Sequence, residues 1–153
     1  MKLPAFLFIF FSLIHFASIA QNSDTAYDAA LAKKLNADDY GMKKYVLVIL
    51  KTGPANITDK TQLDSIFRGH MQNIGRLAAQ NKLVVAGPLG ENDKAYEGIF
   101  ILNATTIEEA KEMLDTDPAV HAQALEPELY SWYGSAALQA TLDIHKKIQK
   151  KHF

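Results

Sequence analysis

The chain has 153 residues, with 16 basic against 17 acidic groups, five histidines and no cysteine. That charge balance is too even for a nucleic-acid binder and gives no electrostatic steering. Without cysteine, neither a disulfide framework nor a lipid-anchored lipoprotein is expected.

Residues 1–20 read as a signal peptide. Lys2 supplies a short positive region, Leu3 to Ile14 an apolar core, and Ser18-Ile19-Ala20 a small-residue cleavage site. A membrane anchor is the competing reading, because the apolar stretch runs on to Ala20. However, Ser12, His15 and Ser18 interrupt it, it falls short of about 20 apolar residues, and no basic stop-transfer cluster follows. Cleavage after Ala20 leaves 133 residues with 15 basic and 17 acidic groups, enough for one domain with a modest core. The expectation is a soluble, secreted or periplasmic protein with no stable membrane insertion.

Residues 21–40 are polar, alanine-rich and weakly periodic, and are expected to form a leader with one frayed helical turn. The domain proper is placed at 41–135. Tyr45 to Leu50 (YVLVIL) is continuously apolar and β-branched, bounded by Lys44 and by Gly53-Pro54, and predicts a strand. Thr58 to Gln80 predicts a helix with Thr58 as N-cap. Its apolar face carries Leu63, Ile66, Phe67, His70, Ile74, Leu77 and Ala78 at spacings of three and four. Leu83 to Ala86 and Gly98 to Leu102 predict two strands joined by the polar turn Gly90-Glu91-Asn92-Asp93. Thr105 with Glu108 reads as a capping box opening a second helix, with Ile107, Ala110 and Leu114 on its apolar side. Asp117-Pro118 opens a further short turn, and Leu129 to Tyr133 predicts the last strand. The order β-α-β-β-α-β is the ferredoxin-like split βαβ arrangement, an α+β fold. YVLVIL and IFIL are apolar at both alternating sets of positions, so both sheet faces need cover, and two helices cover one. A homodimer packed sheet against sheet is therefore expected. Residues 136–153 read as a helical, lysine-rich tail, with a solvated extension favoured over a membrane-surface or partner helix.

Two residues could carry chemistry. His70 lies on the buried side of its helix, and a buried imidazole needs a hydrogen-bond partner. Asp117 stands at the head of a turn that the split βαβ topology can bring to the same side of the sheet. Taken singly, each has an ordinary explanation: a core histidine bonded to backbone, and an Asp N-cap before Pro. Together they would give an imidazole held in one tautomer, with its other nitrogen free for general acid–base work. His121, four residues after Asp117, would complete a two-histidine, one-carboxylate metal site. Nothing in the spacing demands that site, and no metal is expected. Arg68 and Arg76 flank the His70 stripe and could meet an anionic substrate, although a solvent-facing helix surface is their ordinary role. No phosphate loop, dinucleotide fingerprint, zinc spacing or nucleophile elbow is present, so no cofactor is expected.

His70, Ala86-Gly87-Pro88, Gly98-Ile99-Phe100-Ile101-Leu102, Asp117-Pro118-Ala119-Val120 and Tyr130-Ser131-Trp132-Tyr133 follow in an order and spacing that closely resembles the YCII-related family of dimeric α+β barrel proteins. The resemblance covers about Lys44 to Leu138. It implies the ferredoxin-like fold, dimerisation through the sheet face, and an active-site pair on His70 and Asp117. It also implies a small pocket near Gly87 and Pro88, to which Tyr130 and Trp132 are added as candidate lining residues on the last strand, with the dimer seam as their other possible place. Family members often carry glycine where this chain has Asn81, and asparagine also tolerates the left-handed conformation of a helix end. Some members resemble dechlorinating or isomerase-like enzymes acting on hydroxylated aromatic rings and lactones. Two functions follow. One is a small exported enzyme of elimination or isomerisation type, using His70 and Asp117 on a small organic molecule. The other is a non-catalytic dimer that binds a small ligand or a protein, with a structural His–Asp hydrogen bond.

Overall fold

A computed structural model describes residues 27–151. The expected signal peptide, the first part of the leader and the last two residues of the tail lie outside the described residues. In chain order the elements are α1 (Ala29–Lys34), β1 (Met42–Thr52), α2 (Lys60–Ala79), β2 (Leu83–Pro88), β3 (Tyr96–Leu102), α3 (Ile107–Leu114), α4 (Pro118–His121), β4 (Leu125–Ser135), a 3₁₀ turn (Ala136–Ala140) and α5 (Thr141–Ile148). The four strands form one antiparallel sheet in the order β2-β3-β1-β4. With α2 and α3 as the two crossovers, this is the ferredoxin-like α+β arrangement. No helix among the described residues is long and apolar enough to cross a membrane.

Register decides which side chains meet the helices. Val46 pairs with Leu102 and Val48 with Phe100, while Leu83 also lies opposite Leu102. These residues form the main core with Leu77, Ala110, Met113, Leu114, Ala119 and Leu125. Tyr45, Leu47 and Ile49 point to the other face by the two-residue period of a strand.

Local chemistry shifts several boundaries from the sequence expectation. Asp59 rather than Thr58 caps α2, accepting from the amides of Thr61 and Gln62. Thr106 rather than Thr105 caps α3 by accepting from the Glu109 amide, and Glu109 reaches back to the Thr105 amide, so the capping box is displaced by one residue. β4 begins at Leu125, four residues earlier than predicted, with Pro127 tolerated because the strand lies at the sheet edge. Asn81, just past the α2 cap, adopts φ 55° as its residue type allows.

The largest departures are at the two ends. The leader holds a capped helix, α1, and the first half of the tail is packed rather than solvated. Leu138 joins Tyr45, Val84, Ile101 and Trp132 in a second cluster on the face away from α2 and α3. Thr141 donates to the Val84 carbonyl at 3.2 Å, and Gln139 donates to the Leu35 carbonyl behind α1. The chain's own tail thus covers one end of the second sheet face, which periodicity alone assigned wholly to a second copy.

Candidate functional site

The site starts from a missing side chain. Gly69 on α2 faces α4, and a Cβ there would lie 2.8 Å from Cγ of Pro118. The bare helix backbone lets the proline ring lie directly against α2. Pro118 occupies the first turn of α4, where its missing amide needs no partner, and Asp117 is the N-cap, accepting from the Ala119 amide at 2.9 Å. Close packing at Gly69–Pro118 therefore sets the Asp117 carboxylate beside the next residue of α2, His70.

His70 Nδ1 lies 2.8 Å from Oδ2 and 2.9 Å from Oδ1 of Asp117. An ionised carboxylate only accepts, so Nδ1 is the donor and Nε2 carries the lone pair of the neutral ring. The ring stacks on Phe100 at 5.8 Å with an 18° tilt, and Phe67 meets it edge-on at 6.0 Å. His70 is 8% exposed and Asp117 is 0% exposed. No bond to Nε2 occurs among the described residues, and no fully enclosed side-chain nitrogen or oxygen among them lacks a partner. Nε2 is therefore not fully enclosed, in a ring that is otherwise almost buried.

Burial pushes the Asp117 carboxyl up, but the hydrogen bond and charge of His70 and the donors Ala119 N and Asn73 Nδ2 outweigh it. The carboxyl is held below its usual range. Asp117 thus stays a carboxylate at neutral pH and acts toward the imidazole only as an acceptor. Asn73, 6% exposed, lies one helical turn beyond His70 and donates Nδ2 to Oδ2 of Asp117 at 3.2 Å. Arg76, one turn further, donates Nη2 to Oδ1 of Asn73 and to the Thr116 hydroxyl, both at 2.6 Å. Sequence reasoning passed over Asn73 and Gly69. The available signal was a polar residue three positions after His70, inside the buried stripe.

The other candidate residues fall elsewhere. Pro88 pairs with Gly98, on the sheet face that carries Phe100, whereas Gly87 pairs with Ile99 on the opposite face. Tyr130 and Trp132 lie opposite Leu47 and Tyr45, so they too occupy the face away from α2. Within one chain, Gly87, Tyr130 and Trp132 do not share a surface with His70. Trp132 lies against Tyr45 at 5.7 Å and across Gly134, where a Cβ would come within 2.3 Å of its ring. His121 and Arg68 are exposed, and no group of three His, Asp or Glu side chains among the described residues is arranged to hold a metal. One hollow lies between α1 and the tail, lined by Leu31, Lys34, Val84 and Leu142, and another lies at the β1–β4 end beside Lys44, Thr105 and Tyr133. Neither is lined by His70.

No protein-family model matches the chain, and no curated protein does. Among solved structures the chain is similar to 5-chloro-2-hydroxyhydroquinone dehydrochlorinase from Burkholderia phenoliruptrix AC1100, in complex with 2,5-dihydroxybenzoquinone. The two are 23% identical over 57% of this chain and 92% of that one, with a TM-score of 0.42.

Proposed function

We propose that the chain is a small enzyme in which Nε2 of His70 takes a proton from a small organic substrate and later returns it, with Asp117 orienting the ring and stabilising its charged form. The observation that carries this reading is the asymmetry of the imidazole: Nδ1 is held by a buried carboxylate, and Nε2 has no partner among the described residues and is not fully enclosed. A ring so held has one tautomer ready to act as a base and loses little freedom when it does. Asp117 keeps its charge and takes no proton. Phe67 beside the His70 ring and the exposed Pro88, on the side of the sheet that carries the core residue Phe100, suit a flat, largely apolar substrate. Proton abstraction followed by elimination or isomerisation is the matching reaction class. Hydroxylated aromatics and lactones are the substrates that the YCII-related resemblance suggests. The test is turnover in a screen of such compounds. His70→Ala is expected to lower it by about 10²–10⁴-fold with the circular dichroism unchanged, and undiminished turnover in a folded His70→Ala protein contradicts the reading.

A second reading, a ligand- or protein-binding scaffold with a structural His–Asp bond, is favoured by one observation: the two hollows described lie away from His70. It predicts that His70→Ala lowers the melting temperature and that no compound in the screen turns over.

A homodimer belongs to both readings. Leu47, Ile49 and Ile99 are half-buried and Tyr130 is 49% exposed on the sheet face, beyond the end that the tail covers. A second copy seated there would take Tyr130 and Trp132 into its seam. Light scattering at micromolar concentration is expected to give twice the chain mass, and a monomeric mass sinks the proposal.

A further inference from the structure

Along one face of α2, His70, Asn73 and Arg76 follow at three-residue spacing, so their side chains line up on one row. Asn73 is almost fully buried, and an amide in that position must satisfy both its donor and its acceptor end. Its Oδ1 receives Arg76 Nη2 at 2.6 Å, and its Nδ2 donates to Asp117 Oδ2 at 3.2 Å. Turned by 180°, the amide would set its NH₂ against the guanidinium and its carbonyl against the carboxylate. Donor would then meet donor and acceptor would meet acceptor. The guanidinium, at shorter range than the Thr116 hydroxyl 3.1 Å from the same Oδ1, therefore sets which end of Asn73 meets Asp117.

Arg76 is itself fixed by three neutral acceptors. Nη2 also reaches the Thr116 hydroxyl at 2.6 Å, and Nη1 reaches Gln80 Oε1 at 3.3 Å. Thr116 immediately precedes Asp117, and its hydroxyl donates to the Met113 carbonyl at 2.6 Å, so Arg76 ties α2 to the last turn of α3 and to the α4 entrance. No carboxylate pairs with Arg76 among the described residues, which leaves its charge to polarise the Asn73 carbonyl. A polarised amide is a stronger donor at its nitrogen end.

We propose that Asn73 and Arg76 are positioning residues for the His70–Asp117 pair. Arg76 fixes the amide of Asn73, Asn73 fixes the carboxylate of Asp117, and Asp117 fixes the imidazole. The assignment deepens the acid–base reading of His70 and rests on it for its functional meaning, but the relay has its own readout without substrate. Around Asp117, α2 presents His70 and, one amide away, Arg76. His121 on α4 is exposed, and β3 presents uncharged Phe100.

The test is NMR of the purified protein and of Arg76→Met, Arg76→Lys and Asn73→Leu, following the Asn73 side-chain amide and the Asp117 carboxyl carbon. In Arg76→Met, exchange of the Asn73 NH₂ protons is expected to quicken about tenfold or more, and the Asp117 titration is expected to move up toward its ordinary range. Arg76→Lys, which keeps the charge and a donor, restores part of both. Asn73→Leu moves the Asp117 titration at least as far. Unchanged exchange and an unchanged Asp117 titration in folded Arg76→Met overturn the proposal. Arg76 is exposed, so that variant decides even where Asn73→Leu does not fold. Retained turnover in His70→Ala would remove the catalytic reading and leave the relay standing, so the two failures are distinguishable.

Discussion

Asp117→Asn is expected to keep the fold and lose on the order of 10³–10⁴ in turnover. Asparagine has the same shape, and its carbonyl oxygen still accepts from Ala119 N, so the α4 cap survives. Its nitrogen is then left facing Nδ1 of His70. A donor at 2.8 Å favours the tautomer with the proton on Nε2, because the retained oxygen, 2.9 Å from Nδ1, is shared with the Ala119 amide; in that tautomer the outward nitrogen has no lone pair to act with. The new NH₂ also meets the Nδ2 of Asn73, a donor–donor contact costing about 1–3 kcal/mol. Asp117→Ala is more damaging, because three buried donors (His70 Nδ1, Asn73 Nδ2 and Ala119 N) lose their acceptor together. The same pair of proteins separates the pH terms. The folded-state carboxyl of Asp117 lies below its ordinary value of 3.8, so on acidification the unfolded chain takes up this proton first. Its contribution is therefore fully present above that value and is lost as pH falls through the native value. Acid unfolding of the native protein should show this loss relative to Asp117→Asn, measured by circular dichroism. Equal turnover and parallel acid profiles would show that the carboxylate does nothing an amide does not.

Gly69→Val is expected to be the second most damaging change. Replacing a mid-helix glycine ordinarily gains up to about 1 kcal/mol of helix propensity, less for a β-branched residue. At Gly69 the new Cβ starts 2.8 Å from the Pro118 ring, and valine adds two further carbons where the ring lies. Overpacking costs of about 1–3 kcal/mol exceed the propensity gain. The relief available is movement of α4 away from α2, which carries Asp117 away from His70. A displacement of that kind is worth on the order of 10²-fold in rate even where the fold survives. Gly75 provides the control on the same helix, since a Cβ there meets nothing within 4 Å. Gly75→Ala should raise the melting temperature slightly and leave turnover alone, whereas Gly69→Val should lower both. Equal behaviour of the two variants would mean that the Gly69–Pro118 contact does not set the pair.

Much of this was legible in the sequence. YVLVIL and IFIL announced central strands because no polar residue interrupts them. The α2 stripe at three- and four-residue spacing placed His70 inward, and Asp117-Pro118 announced a cap at the point where the topology turns back toward that stripe. What stayed hidden depends on distance in space. Gly69 reads as an ordinary helical glycine until Pro118 is seen against it. Asn73 reads as a polar break in the stripe until Asp117 and Arg76 are found at its two ends. The start of β4, Leu125-Glu126-Pro127-Glu128, carries charge and a proline, and edge pairing with β1 overrides that local preference. Tyr130 and Trp132 were placed on the correct strand. Only their register with Leu47 and Tyr45 reveals that they face away from His70. The tail carries no single apolar stripe, because its apolar residues act in two places, with Leu138 on the sheet while Ile144 and Ile148 are exposed.

The most direct measurement is carbethoxylation of the folded native protein with diethyl pyrocarbonate, mapped residue by residue by mass spectrometry. The reagent needs a bare, reachable ring nitrogen, and exposed His121 and His145 serve as internal standards. His70 is expected to be modified alongside them, at Nε2, without denaturant. A His70 that stays unmodified until the protein unfolds, while His121 and His145 react, would contradict an outward-facing base.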